Sequence, residues 1–453
     1  MMRHQALLVT LPGESSQIRN VGKLLSFFGL SWRNLTPEEL HAELHAGVET
    51  ASKVRLFCPA TAFSKISNEL ERSTENIRLW PQRVHSAFVF AEDDPVILQE
   101  LARKLTGSDG AVIRQLNSNA GDVRVAEDWG EFCAVMAGAR VVASGSNLQT
   151  SALFNGSNDG ARDIISVSDG VTFLMAQCLD VPVFLSTSAH VIDIESELRS
   201  QNFDVREHFL SAVPVVLYAK WAFADSCWNS PEPSACLVID DPLLKPTYGC
   251  LNFEELLALM ERHHFATNIA FIPWNWRRSN PDVVRLFRQR PELYSLSIHG
   301  SDHVAAEFGS RDREHLYSRI KRAVARMSNH ELQTGIRHDP VMIFPQGVFS
   351  QAAMDALKRS NLTAAVNTDV VSVDPDPPAI TISDVWDIAV MRYSSFPIFT
   401  RRHPAQGIAN FAFDILLGKP CIVGIHHDFC RDRYKHLLEF IDRINAVNCP
   451  SDG

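Results

Sequence analysis

At 453 residues the chain is too long for one ordinary core, and two domains are the expectation. Its 45% hydrophobic and 21% charged residues are those of a soluble globular protein. A net charge of −10 argues against nucleic acid or an anionic membrane surface as the main partner. No window approaches 18 continuous apolar residues, so no membrane span is expected.

The chain opens with a short apolar run, Ala6 to Leu11, stopped by Pro12-Gly13. It reads as a strand feeding a loop rather than a signal peptide, and a cytoplasmic location is the expectation. Further strand candidates are Lys53 to Cys58, Ala87 to Ala91, Arg140 to Ala143 and Val181 to Leu185. Helical patterns lie between them at Gln17 to Phe28, Pro37 to Ala46 and Pro95 to Leu105. This alternation predicts an α/β domain over residues 1–225, a doubly wound parallel sheet of Rossmann or flavodoxin type. The polar stretch Ser144 to Asp159 reads as a long loop. No glycine-rich phosphate loop follows any strand, so nothing assigns a ligand or a role to this half. The nine cysteines are odd in number, scattered and without a C-x-x-C spacing; Cys133, Cys178 and Cys236 sit in apolar segments and read as core thiols.

Turn-formers and two prolines between Asp225 and Pro233 mark the domain junction. From residue 234 to 453 strands and helices alternate strictly. The strands are Ala235 to Ile239, Asn268 to Ile272, Ser295 to Ile298, Val341 to Phe344, Thr363 to Val366 and Cys421 to Ile425. The helices are Phe253 to His264 with Asn252 as N-cap, Pro281 to Arg288, Arg311 to Met327, Gln351 to Ser360, Phe411 to Leu417 and Lys435 to Ala446. Ile380 to Arg392 is less regular. About seven βα units predict a distorted (β/α)7-type barrel.

In such a barrel the reacting groups sit at the C-terminal ends of strands. Asp240-Asp241 ends the first strand. Pro273-Trp274-Asn275-Trp276-Arg277-Arg278 ends the second, and His299-x-x-x-His303 the third. Pro345-Gln346-Gly347 ends the fourth and His426-His427-Asp428 the last. Each alone has a bland reading: a turn-forming acidic pair, a structural histidine pair. Their placement on one face is what points to a metal site. One carboxylate and two imidazoles suit a divalent metal with an open position for water, and a second carboxylate can act as base. Zinc is the first expectation; cobalt, manganese and iron accept the same ligands.

The set resembles the polysaccharide deacetylase superfamily (NodB homology, carbohydrate esterase family four) over roughly residues 234–430. The resemblance implies a barrel of that kind and hydrolysis of an amide, most readily an N-acetyl group on a sugar or oligosaccharide. It implies Asp241, His299 and His303 as metal ligands and Asp240 as catalytic base. It implies His427 as the acid that protonates the leaving amine. His426 competes for that role, because neighbours on a strand point to opposite sides. The backbone N–H after Pro345, at Gln346, would help hold the oxyanion. Three positions depart from the family pattern. Gly300 stands where Ser or Thr is usual, Ile343 where Arg is usual, and Gln346 where an aromatic is usual.

Trp274 and Trp276 offer flat faces for a sugar, and Arg277 and Lys245 offer charge; the alternative is one packed Trp and solvated cations. The rival to a deacetylase is a non-catalytic, metal-containing protein that binds a sugar or nucleotide.

Overall fold

The computed structural model describes residues 6–13, 16–45, 53–92, 95–107, 113–115, 120–144, 152–155, 160–168, 170–230 and 235–448. Two compact units emerge, one of Met1–Glu195 with Asp204–Asn229 and one of Ser196–Phe203 with Ser230–Cys449.

The first unit carries an 11-stranded sheet. Its strands are β1 (Ala6–Val9), β2 (Trp32–Leu35), β3 (Val54–Pro59), β4 (Val84–Phe90), β5 (Ile113–Gln115), β6 (Ala120–Val125), β7 (Arg140–Ser144), β8 (Ala152–Asn155), β9 (Arg162–Val167), β10 (Gly170–Cys178) and β11 (Val181–Ser186). The order is β2-β1-β3-β4-β11-β10-β9-β6-β7, with β8 on β10 and β5 on β8. The five strands from β2 to β11 are parallel, as a doubly wound sheet requires. Beyond β11 every pairing is antiparallel, so the expectation of a wholly parallel Rossmann or flavodoxin sheet is corrected. The cause is local. Leu179 and Asp180, the two residues between β10 and β11, both adopt left-handed backbone (φ +49° and +64°). Two such residues close a tight hairpin, and a two-residue link cannot join parallel strands. The expected loop Ser144–Asp159 contains β8, and Ser144 ends β7; residues 145–151 and 156–159 lie outside the described ones.

The apolar helix Phe209–Ala222 has 14 residues, all but one buried, and packs as a core element. Among the described residues no helix is long and apolar enough to cross a membrane. Cys133 and Cys178 are buried and Cys236 is half-buried, all three as free thiols.

The second unit contains β12 (Ala235–Asp240), the small hairpin β13 (Thr247–Tyr248) and β14 (Leu251–Asn252), β15 (Thr267–Phe271), β16 (Tyr294–His299), β17 (Val341–Ile343), β18 (Ala364–Asn367), β19 (Ile398–Thr400) and β20 (Cys421–His426). Seven of these form one all-parallel sheet in the order β19-β18-β17-β16-β15-β12-β20. Its edges nearly meet. Arg402, two residues past β19, donates its N–H to the Ile422 carbonyl and accepts from the Gly424 N–H, both at 2.9 Å. The ring is therefore a nearly closed barrel of seven strands. β19 is too short for its alternation to be read in the sequence.

Inside the ring Val238, Ala270, Ile343 and Val366 form a narrow apolar core, extended by Cys236, Val341, Phe399 and Ile422. Burying one Val or Ile side chain there stabilises the fold by about 1.5–3 kcal/mol. Two-residue periodicity then aims Asp240, Arg401 and His426 inward at the C-terminal mouth, and the register of His299 with Ile343 places His299 on the same side. The register sets Asp240 beside His426 and His299 beside Ile343.

Several helices around the barrel start on capping side chains. Asn252 Oδ1 accepts from the N–H groups of Glu254 and Glu255, both at 3.0 Å. Asp312 Oδ1 does the same for Glu314 and His315. The helix after β16 runs from Arg313 to Thr334, seven residues beyond its expected end at Met327, and stops at Gly335 with φ +74°. Ile380–Arg392 holds only one short helix, Ile382–Trp386.

His330 on the long helix is buried against Phe271, with Nε2 2.8 Å from the Ser279 hydroxyl. Burial first, then the nearby His338, pushes its pKa down to about 4. The unfolded chain, with an ordinary histidine near 6.5, binds more protons between those values. The stability His330 contributes is therefore complete above about pH 6.5 and lost as pH falls through about 4. Urea denaturation of wild type beside His330→Asn should show the wild type losing about 1–3 kcal/mol more across that window.

Candidate metal centre

Asp241 follows β12 with left-handed backbone (φ +79°), its N–H donating to the Ala270 carbonyl at 3.2 Å. A non-glycine residue in that region is strained and is held there by its surroundings. The turn sends the Asp241 carboxylate across the mouth to β16. Its Oδ1 stands 3.1 Å from His299 Nε2 and 3.1 Å from His303 Nε2, and the three ligand atoms lie within 4.8 Å of one another. His299 is 1% exposed, and its Nδ1 lies 3.1 Å from the Ile343 carbonyl. A carbonyl only accepts, so Nδ1 carries the proton and Nε2 turns a lone pair toward Asp241.

Asp241 Oδ1 is buried without a hydrogen-bond donor of its own. Electron-rich atoms crowded around it fit a cation. Their 3.1 Å separations approach the edge of about 3.3 Å of a tetrahedron with bonds near 2.0 Å. Two nitrogens and one carboxylate oxygen suit zinc and the other borderline divalent metals. Burial alone would raise the Asp241 carboxyl. With no metal among them, protonation of these imidazoles, His299 ahead of His303 and His426, outweighs it and holds the group below the usual carboxylate range.

The other Asp241 oxygen, Oδ2, lies 2.8 Å from His426 Nε2, and His426 Nδ1 is 3.0 Å from Asp428 Oδ1. Burial lowers the His426 pKa, but its bonds to Asp428 and Asp241 prevail and raise it. His427 is placed differently. Its ring meets Tyr248 edge-on at 4.9 Å and lies where a Gly249 side chain would be, with Nδ1 2.5 Å from a Cβ built there. Gly249 is left-handed (φ +58°) and leaves room for the imidazole. Burial, then the neighbouring His426, lowers the His427 pKa.

Asp240 faces inward, and both its oxygens are held by Arg401, Nη1 to Oδ1 at 2.7 Å and Nη2 to Oδ2 at 2.8 Å. This fork is the strong, orienting form of an Arg–carboxylate pair. Arg401 is 7% exposed, so little water competes with it. It fits because Gly424 on β20 has no side chain; a Cβ there would stand 2.9 Å from Arg401 Cδ. Sequence reasoning missed Arg401. The signal was Gly424, since a glycine inside a strand marks close approach by another group.

Pro345 and Gln346 lie in a single 3-10 turn after β17, Gln346 with φ +58°. The Gln346 side chain accepts from the Ala306 N–H at 3.0 Å, so it braces the loop that carries His303. Trp274 is 61% exposed, with the Arg326 guanidinium 4.9 Å from its ring, and its backbone N–H donates to the Ser301 carbonyl at 3.0 Å. Arg277 covers Trp276 at 4.3 Å. Lys245 is exposed.

No family model and no curated protein matches the chain. Solved structures do. The crystal structure of Agd3, described as a novel carbohydrate deacetylase, aligns over 98% of this chain and 84% of that one, with a TM-score of 0.54 and 9% identity. A family 4 carbohydrate esterase from Streptomyces lividans, in complex with acetate, covers 48% of this chain and 88% of its own, with a TM-score of 0.29 and 13% identity. The chitin deacetylase of the fungal pathogen Colletotrichum lindemuthianum covers 49% and 85%, with a TM-score of 0.30 and 13% identity. What the first of these shares with the present chain is the fold, across both units.

If these three side chains hold a cation, the purified protein carries about one transition metal per chain after reconstitution. A His299→Ala/His303→Ala variant should then carry none. Elemental analysis of the two side by side decides it, and equal metal content would remove the site.

Proposed function

We propose that the second unit is a metal-dependent hydrolase of a carbon–nitrogen amide bond that removes the acetyl group from an N-acetylated sugar. The observation that carries this reading is the convergence of Asp240, Asp241, His299, His303 and His426 on one barrel mouth, with each part of amide hydrolysis within reach. Asp241, His299 and His303 hold the metal, zinc by preference. When bound, such a metal supplies Lewis acidity, polarising a carbonyl and activating water near neutral pH.

The chain's own groups do the rest. Asp240, its two oxygens fixed by Arg401, keeps lone pairs directed into the mouth and takes the proton of the attacking water. The backbone N–H of Gln346, after Pro345, donates to the oxygen that gains negative charge. His426 gives the proton to the leaving amine. Its inward side of β20, its contact with Asp241 and its partner Asp428 support it over His427, whose ring is seated against Tyr248. Trp274, its inner face backed by Arg326, stacks on a sugar ring. Trp276, Arg277 and Lys245 complete the substrate side, and the fold of Agd3, itself a carbohydrate deacetylase by description, accords with a sugar.

Acetate release from N-acetylglucosamine oligomers by zinc-loaded protein tests the reading. Asp240→Asn should retain metal and lose about 10²–10⁴-fold in rate. Arg401→Met should also keep its metal and lose about tenfold or more. His426→Ala should be far slower than His427→Ala; the reverse order would give the acid role to His427. Acetate release that survives Asp240→Asn would sink the mechanism. Metal without turnover on any acetylated sugar would favour a binding protein.

A further inference from the structure

Between the two metal-site histidines the backbone turns sharply. Gly300 has φ +66° and His303 φ +56°. The three N–H groups of this turn all donate to one side chain. Glu307 Oε2 accepts from Ser301 and His303, each at 3.1 Å, and Oε1 accepts from Asp302 at 2.9 Å. The carboxylate has no exposed surface, and Arg319 Nη1 stands 3.3 Å from Oε1. Successive N–H groups turned to one point form a concavity suited to an anion. Here the anion is the chain's own.

A buried carboxylate is costly unless every oxygen is bonded. Glu307 meets that condition with three backbone donors and one guanidinium. Its position leaves no space at Gly300, where a Cβ would lie 2.3 Å from Glu307 Oε2 and 2.6 Å from Pro345 Cγ. The glycine at that position and the buried glutamate therefore belong to one arrangement. The donor that matters most is the His303 N–H, because it fixes the backbone that swings the His303 imidazole to Asp241.

We propose that Glu307 is a positioning residue for the metal centre: by clasping the N–H groups of residues 301–303 it presets His303 toward Asp241 and so sets metal affinity. The proposal rests on the metal reading above. Glutamine is nearly isosteric, but its amide nitrogen cannot accept, so at least one of the three N–H groups loses its partner.

Two measurements test it. The first is amide hydrogen exchange on metal-free wild type, which should show Ser301, Asp302 and His303 protected; free exchange there would overturn the clasp even if no variant folds. The second is zinc affinity by chelator competition for wild type and Glu307→Gln, with circular dichroism as the check on folding. Affinity should fall about 10–100-fold in the variant, and the d–d spectrum of the cobalt-loaded protein should shift. Equal affinities and identical spectra would overturn the role of Glu307 and leave the metal site standing. A wild type that binds neither metal, with the three N–H groups protected, would remove the metal reading and this role with it.

Discussion

Three electron-rich atoms face one another across the mouth of the barrel: one carboxylate oxygen of Asp241 and the Nε2 atoms of His299 and His303, at 3.1 Å. Such atoms repel unless positive charge lies among them, as a metal or as protons. Much of the local structure holds them there regardless. Asp241 is kept in a left-handed turn, His299 is pinned through Nδ1 to β17, and the loop to His303 is gathered from within. Preorganisation of this sort is what lets a site bind a cation without paying for ordering at the same moment.

Around that centre Gly300, Ile343 and Gln346 each have a definite local part. At Gly300 a side chain is excluded by Glu307 and Pro345. At Ile343 there is no guanidinium, but its carbonyl orients His299, while Arg401 reaches Asp240 from the far edge of the sheet. At Gln346 the side chain braces Ala306.

Much of the second unit was legible in the sequence because the parallel barrel strands are short apolar runs separated by amphipathic, well-capped helices. The cluster of Asp241, His299 and His303 was legible because its members sit at or just past strand ends. The inward side of His426 follows from the parity of β20, which Ile422 and Gly424 carry but which a mostly apolar strand hides. Arg401 and Glu307 went unread for another reason: both act on partners across loops or strands, at separations of 161 and 4 to 6 residues, with no repeating pattern, and the only hint of Arg401 was Gly424 on the neighbouring strand. In the first unit, Leu179-Asp180 turns a hairpin without the glycine that usually signals one, and the antiparallel strands that follow from it went unread. Ser196–Phe203 joins the second unit through pairings such as Leu198 with Ile380 and Glu197 with Thr381, although it lies inside the span of the first.

The barrel has a seam. Six of its junctions are strand ladders, while the seventh, between β19 and β20, rests on the two backbone hydrogen bonds of Arg402. β16, which supplies His299, is the middle strand, three places from either edge. Arg401 and His426 border the seam itself. The histidine half of the cation grip thus stands farthest from the seam, while Asp241 and the groups that would hand over protons lie near it, so slight breathing there would loosen the Arg401–Asp240 fork before it reached His299.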